Sequence, residues 1–146
     1  VVVVAQQEAP GYWGISIRVG SHISLYDTGS GHVLLAFRSQ EERLMMINEF
    51  SASGEEPTME SEFFERLDQI RERGYEIMPS AQTAGVFNLS APVLGPDGRA
   101  LAALTVPYIN LVNASQAPDM AETQRMLTKT SRQLSKLAGA DFDLPA

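Results

Sequence analysis

The stretch Asp27-Thr28-Gly29-Ser30-Gly31-His32-Val33-Leu34-Leu35-Ala36-Phe37 decides how this chain is read. Alternating, extended sequence runs into it: Ile15, Ile17 and Val19, then Ile23 and Leu25. A helical apolar pattern of Val33, Leu34, Ala36 and Phe37 runs out of it. The spacing predicts a helix over 30–37 with Thr28 at its N-cap, where a hydroxyl accepts from a free helix N–H. The first N–H groups of such a helix lack partners and sit at its positive end, so the corner suits an anion, with Gly29, Ser30 and Gly31 as the candidate contacts. A strand-to-helix turn that binds nothing is the plain alternative, and a motif this short does not decide between them.

Upstream, residues 1–8 open with four valines and read as a strand covered on both faces, and residues 12–19 alternate as a second strand. Downstream, Ser39 and Glu42 form a capping box ahead of Leu44, Met45, Ile47 and Phe50 at helical spacing. Residues 58–73 read as a third helix with Phe63, Leu67 and Ile70 on one stripe and Gly74 past its end. Strands follow at 75–78, 86–94 and 99–106, the last two joined by the Gly95-Pro96-Asp97-Gly98 turn, with Pro107 ending the last. Residues 108–118 read as an irregular connection. A long helix over 120–138 carries Thr123, Leu127, Thr130, Leu134 and Leu137 on one face, and 141–146 reads as a frayed tail. The order is α+β, with a mostly antiparallel sheet and segregated helices.

One domain is the expectation for 146 residues, of which 44% are hydrophobic and 20% charged, a balance that suits a folded globular chain. A net charge of −7 argues against this segment gripping a phosphate backbone. With no cysteine there is no disulfide, thiolate nucleophile or Cys-ligated zinc, which fits a cytoplasmic setting. No apolar run has membrane-spanning length, and a chain opening directly on a core strand reads as an excised domain.

Asp27-Thr28-Gly29 resembles the motif of aspartic proteases, in which two carboxylates share a proton, so a single copy would need a homodimer. The strongly helical sequence over 39–74 opposes it, because that fold needs strands there. His22 and His32 are the only histidines, and without metal-ligand spacing each reads as solvated or hydrogen-bonded. No metal or cofactor is implied. Asn88, Ser90 and Thr105 alternate along two strands and are candidates to line a small-ligand site facing the corner.

The ordered motifs resemble the effector-binding domain of IclR-family bacterial transcriptional regulators. Val19-Gly20-Ser21 and Leu25 through Ala36 look like that family's V-G-S-x-x-P-L-H-x-T-A-x-G-K-A-L-L-A segment. Ile70-Arg71-Glu72-Arg73-Gly74-Tyr75 looks like its I-R-x-x-G-Y; Gly85 through Val93 looks like its G-V-x-x-I-A-A-P-V; Ala102 through Val106 and Leu137-Ala138-Gly139 match its close. The resemblance implies a GAF-like sensor over 1–140 with a tail at 141–146, and no enzyme. It also implies a winged helix-turn-helix DNA-binding domain on the N-terminal side, not visible in this chain, and a homodimer or tetramer.

Carried over by position, the family's effector contacts fall on Gly29 and Ser30 at the corner, on an apolar wall of Tyr12, Ile15 and Ile23, and on Met78, Asn88, Thr105 and Pro107 of the strands. Departures are Ser24 for Pro, Tyr26 for His, His32 for Lys, Met78 for an acidic residue and Pro107 for a hydroxyl. They point to a less polar site, suited to a larger, partly apolar carboxylate such as an aromatic acid. The rival expectation is a structural or dimerisation module with the pocket filled by Trp13, Met78 and Tyr108.

Overall fold

A computed structural model describes residues 1–8, 14–51, 61–109 and 117–141. Three helices come first: α1 (Gly29–Ala36), α2 (Gln40–Ser51) and α3 (Ser61–Arg73). Three strands follow, β1 (Glu76–Pro79), β2 (Val86–Leu94) and β3 (Ala100–Ile109), then α4 (Met120–Leu137). The strands form one antiparallel sheet in the order β1-β2-β3. This is the expected α+β arrangement.

Local chemistry sets the helix ends. Thr28 is extended and its hydroxyl accepts from the Gly31 N–H at 3.1 Å. The capping box is reciprocal: Ser39 Oγ accepts from the Glu42 N–H at 3.2 Å and Glu42 Oε2 from the Ser39 N–H at 3.0 Å. Gly74 takes a φ of +79° directly after α3, a left-handed stop that other residues resist.

The sheet has a core on each face. On one, α1 and α3 bury Val33, Leu35, Ala36, Phe37, Leu67 and Ile70 against Leu94 and Ala100. On the other, Leu127 of α4 meets Leu89 and Ala91. α1 is buried almost all round, so its short apolar run is a core element.

Four expectations are corrected. Residues 1–8 and 14–19 are not core strands: Val2, Val4, Ile17 and Val19 are exposed, and among the described residues pairing is limited to the Val2–His22 bridge and bonds near it. Farther out, the Gln6 side chain takes the place of a ladder, accepting from the Ile17 N–H and donating to Ser16 Oγ. Pro107 does not end β3, which runs on to Ile109; β3 is an outer strand of this sheet, where a residue without an N–H is tolerated. In α2, Met45 is exposed while Arg43 and Ile47 are buried.

The buried face of α4 is also not the leucine stripe. It is Thr123, Leu127, Ser131 and Ser135, while Leu134 borders on solvent and Leu137 is 85% exposed. Small serines let the helix approach β2 closely. Ser131 donates to the Pro92 carbonyl, and Ser135 Oγ accepts from the Leu94 N–H at 2.9 Å, beside the register shift at Val93/Leu94. The sheet's irregularity thus finds its hydrogen bonds on the helix. The expected connection at 110–116 and the tail at 142–146 lie outside the described residues.

Candidate functional site

The N-terminus of α1 rests on the sheet. A Cβ built on Gly29 would fall 2.9 Å from Ser90 Oγ and 3.6 Å from Glu76 Cγ, so glycine lets the helix end approach this close. Beneath it run two cross-strand rows. Glu76, Ser90 and Thr105 are in register, as are Met78, Asn88 and Pro107. Positions two apart on a strand share a face, so the polar row and the largely apolar row lie side by side.

The polar row is tightly bonded. Ser90 is fully buried and its hydroxyl pairs with Thr105 Oγ1 at 2.9 Å. Glu76 is 1% exposed and meets Arg66 Nε at 2.8 Å and an Arg73 terminal nitrogen at 2.5 Å. Its Oε1 also accepts from the Ile77 N–H at 2.8 Å. His32, 4% exposed, donates from Nε2 to the Tyr26 carbonyl, and its Nδ1 faces Glu76 Oε2 at 3.8 Å. Burial alone would push the Glu76 carboxyl up. The His32 ring, the Arg66 bond and the charges of Arg66 and Arg73 outweigh it and hold the pKa at about 2, against an ordinary 4.5.

α3 makes this possible by carrying three stripes. Phe63, Leu67 and Ile70 face the core, Arg66 and Arg73 reach Glu76, and Phe64, Asp68 and Arg71 line a groove elsewhere.

Of the residues singled out from sequence, Gly29, Ser30 and Gly31 are buried at the helix end, and Ser90 and Thr105 lie under it. Gly31 faces the chain itself, since a Cβ there would fall 2.1 Å from the Leu25 carbonyl oxygen, and its N–H is taken by Thr28. That leaves Gly29 and Ser30, whose N–H groups have no backbone partner among the described residues. Met78, Asn88 and Pro107 form the neighbouring row, all part-buried. Ile15 and Ile23 are part-buried in the N-terminal segment, with Ile23 bonded to Val1. Tyr12, and Trp13 of the rival reading, lie outside the described residues.

Sequence reasoning missed Glu76, Arg66 and Arg73. A signal was present: two arginines seven apart on one helix stripe, followed by a carboxylate opening the next strand. Asp27 is exposed and accepts from Ser24 Oγ at 3.3 Å, and His22 is exposed while His32 is buried. Among the described residues no group of three acidic or histidine side chains could hold a metal ion, and no helix is long and apolar enough to cross a membrane.

Comparison with known proteins bears on this geometry. Residues 1–136 match the family model described as Bacterial transcriptional regulator IclR C-terminal. The HTH-type transcriptional regulator KdgR of Escherichia coli (strain K12) is 30% identical over 125 residues, covering 84% of this chain and 47% of KdgR. The crystal structure of Pseudomonas aeruginosa HmgR aligns with a TM-score of 0.75 at 29% identity, covering 97% of this chain and 56% of that one. A double mutant of the inducer binding domain of PobR from Acinetobacter, in complex with 3-hydroxybenzoic acid, shares the fold with a TM-score of 0.62 at 23% identity, covering 82% of this chain and 70% of that one. The chain spans about half the length of KdgR and HmgR. Family membership makes this a domain of transcriptional regulators rather than an enzyme, which sets the protease reading of Asp27-Thr28-Gly29 aside. The chain belongs to the family of IclR-type bacterial transcriptional regulators, as their C-terminal domain.

Proposed function

We propose that this domain senses a small carboxylate effector held where the N-terminus of α1 meets the two sheet rows. The observation that carries the reading is the seating of Gly29 on Ser90 and Glu76, which brings the positive N-terminal end of α1 against that strip. Glu76 is outnumbered by Arg66 and Arg73, so the nearby field favours an anion. Met78 and Pro107 flank Asn88 with apolar surface, which suits a carboxylate with a hydrophobic or aromatic body. Ile15, Ile23 and Tyr12 complete the wall in this reading.

The domain does no chemistry. It acts within a cytoplasmic homodimer or tetramer, preceded in the full protein by a winged helix-turn-helix domain that contacts DNA. Effector must bind one arrangement of the oligomer better than another to shift anything, and a coupling of about 1–3 kcal/mol is typical of such devices.

A thermal-shift screen against small carboxylic and aromatic acids tests it. A ligand at about 100 times its Kd stabilises the native state by roughly 2.7 kcal/mol. Ser30→Glu should abolish the shift by like-charge repulsion, and Asn88→Leu should weaken it without touching the corner. Silence across the panel, or a hit indifferent to both substitutions, overturns the reading.

A further inference from the structure

A second basic centre lies apart from the corner. Arg38, Gln40, Arg43, Phe64, Asp68 and Arg71 line an open groove of about 310 Å³ between the start of α2 and the second half of α3. Its charges do not balance. Arg43 is fixed by Leu35 and Ala36 carbonyls and by Asp68 at 2.9 Å, which uses the one carboxylate of the lining. Arg38 donates once, to the Ala100 carbonyl at 2.8 Å, and its Nε is buried with no partner. Glu42 feels the Arg38 charge but is hydrogen-bonded elsewhere, to Arg99 at 3.0 Å and to the Ser39 N–H. Arg71 is exposed and has no ion-pair partner among the described residues. The lining thus carries three guanidinium groups against one carboxylate, in a chain of net charge −7.

We propose that this groove is a second ligand site, for a small dianion: a dicarboxylate or a phosphate monoester. Guanidinium forks match both oxyanions in shape and bind them with paired, charge-assisted bonds. The Arg38 and Arg71 guanidinium groups supply the positive charge, Gln40 adds a neutral donor, and Phe64 offers a wall for the carbon body. The volume sits at the small end of ligand pockets, which limits the occupant to a few carbons.

Calorimetric titration of the chain with succinate and with phenyl phosphate at low salt tests the site and separates the two ligand types. Saturable binding of either probe is expected. It should weaken at least tenfold in Arg71→Glu, whose side chain is exposed, and also in Arg38→Gln. It should be unchanged in Lys129→Glu, which makes the same charge reversal at an exposed position of α4. No saturable binding of either probe overturns the proposal. So does binding that is indifferent to Arg71→Glu or weakened as much by Lys129→Glu.

Discussion

Gly31 packs its α-carbon against the backbone of Leu25: a Cβ there would lie 2.1 Å from the carbonyl oxygen and 2.6 Å from the carbonyl carbon. Backbone cannot step aside as a side-chain tip can. Gly31→Ala should therefore cost about 3 kcal/mol, the upper range of overpacking, and lower Tm by roughly 10 °C. Gly29 differs, because its missing Cβ would meet the Ser90 hydroxyl at 2.9 Å, and a hydroxyl can rotate at the expense of its bond to Thr105. Gly29→Ala should cost about 1 kcal/mol. Equal losses in paired thermal melts would refute this division between a packing glycine and a site glycine.

Glu76 links stability to pH. Its folded pKa of about 2 lies below the ordinary 4.5, so the carboxylate contributes stability above pH 4.5. That contribution drains away as the pH falls through 4.5 toward 2. The Arg66 and Arg73 side chains are 42% and 38% exposed, which screens the ion pairs, and Glu76→Gln should cost about 2 kcal/mol at pH 7. Tm measured from pH 7 to pH 2 should show the wild type and the variant converging in acid. Curves that stay parallel would mean the residue acts by shape and not by charge.

The helices over 29–73 were largely legible because caps and stripes are local: Thr28, Ser39 with Glu42, and Gly74 each announce an end. β2 was legible to the residue, since Gly85 and the Gly95-Pro96-Asp97-Gly98 turn bound it. Long-range chemistry was not. Near Glu76 only Arg73 hints at its burial, because Arg66 and His32 arrive from other elements. Pro107 reads as a stop until an outer strand gives it a place. The candidate site was half visible, its glycines and small polar residues from pattern, its charged floor only from the fold.

The serine face of α4 gives a prediction opposite to the leucine pattern. Ser135→Ala strands the buried Leu94 N–H and should cost about 2 kcal/mol, the penalty for an unsatisfied buried donor. Leu137→Ala removes a side chain that is 85% exposed and should change stability by less than about 0.5 kcal/mol. Urea midpoints of the two variants compare them directly. A larger loss for Leu137→Ala would return the buried face to the leucines.

Arg43 is a cap more than an ion-pair member. It is 6% exposed, and its Nε and a terminal nitrogen donate to the Leu35 and Ala36 carbonyls at 3.0 and 2.8 Å, closing the C-terminus of α1. Its third partner, Asp68, has a side chain 65% exposed, so water replaces much of what that pair provides. Arg43→Met keeps the apolar stem but strips the Ala36 carbonyl of its donor, while the Leu35 carbonyl still accepts from the Arg38 N–H at 3.1 Å, and should cost about 2 kcal/mol. Arg43→Lys should recover only part, since one ammonium cannot reproduce the fork that spans both carbonyls. Asp68→Asn should cost less than about 1 kcal/mol. Chemical denaturation of the three variants orders them. If Asp68→Asn were as damaging as Arg43→Met, the ion pair and not the helix end would be what Arg43 serves, and α1 would have to be held by its apolar burial alone.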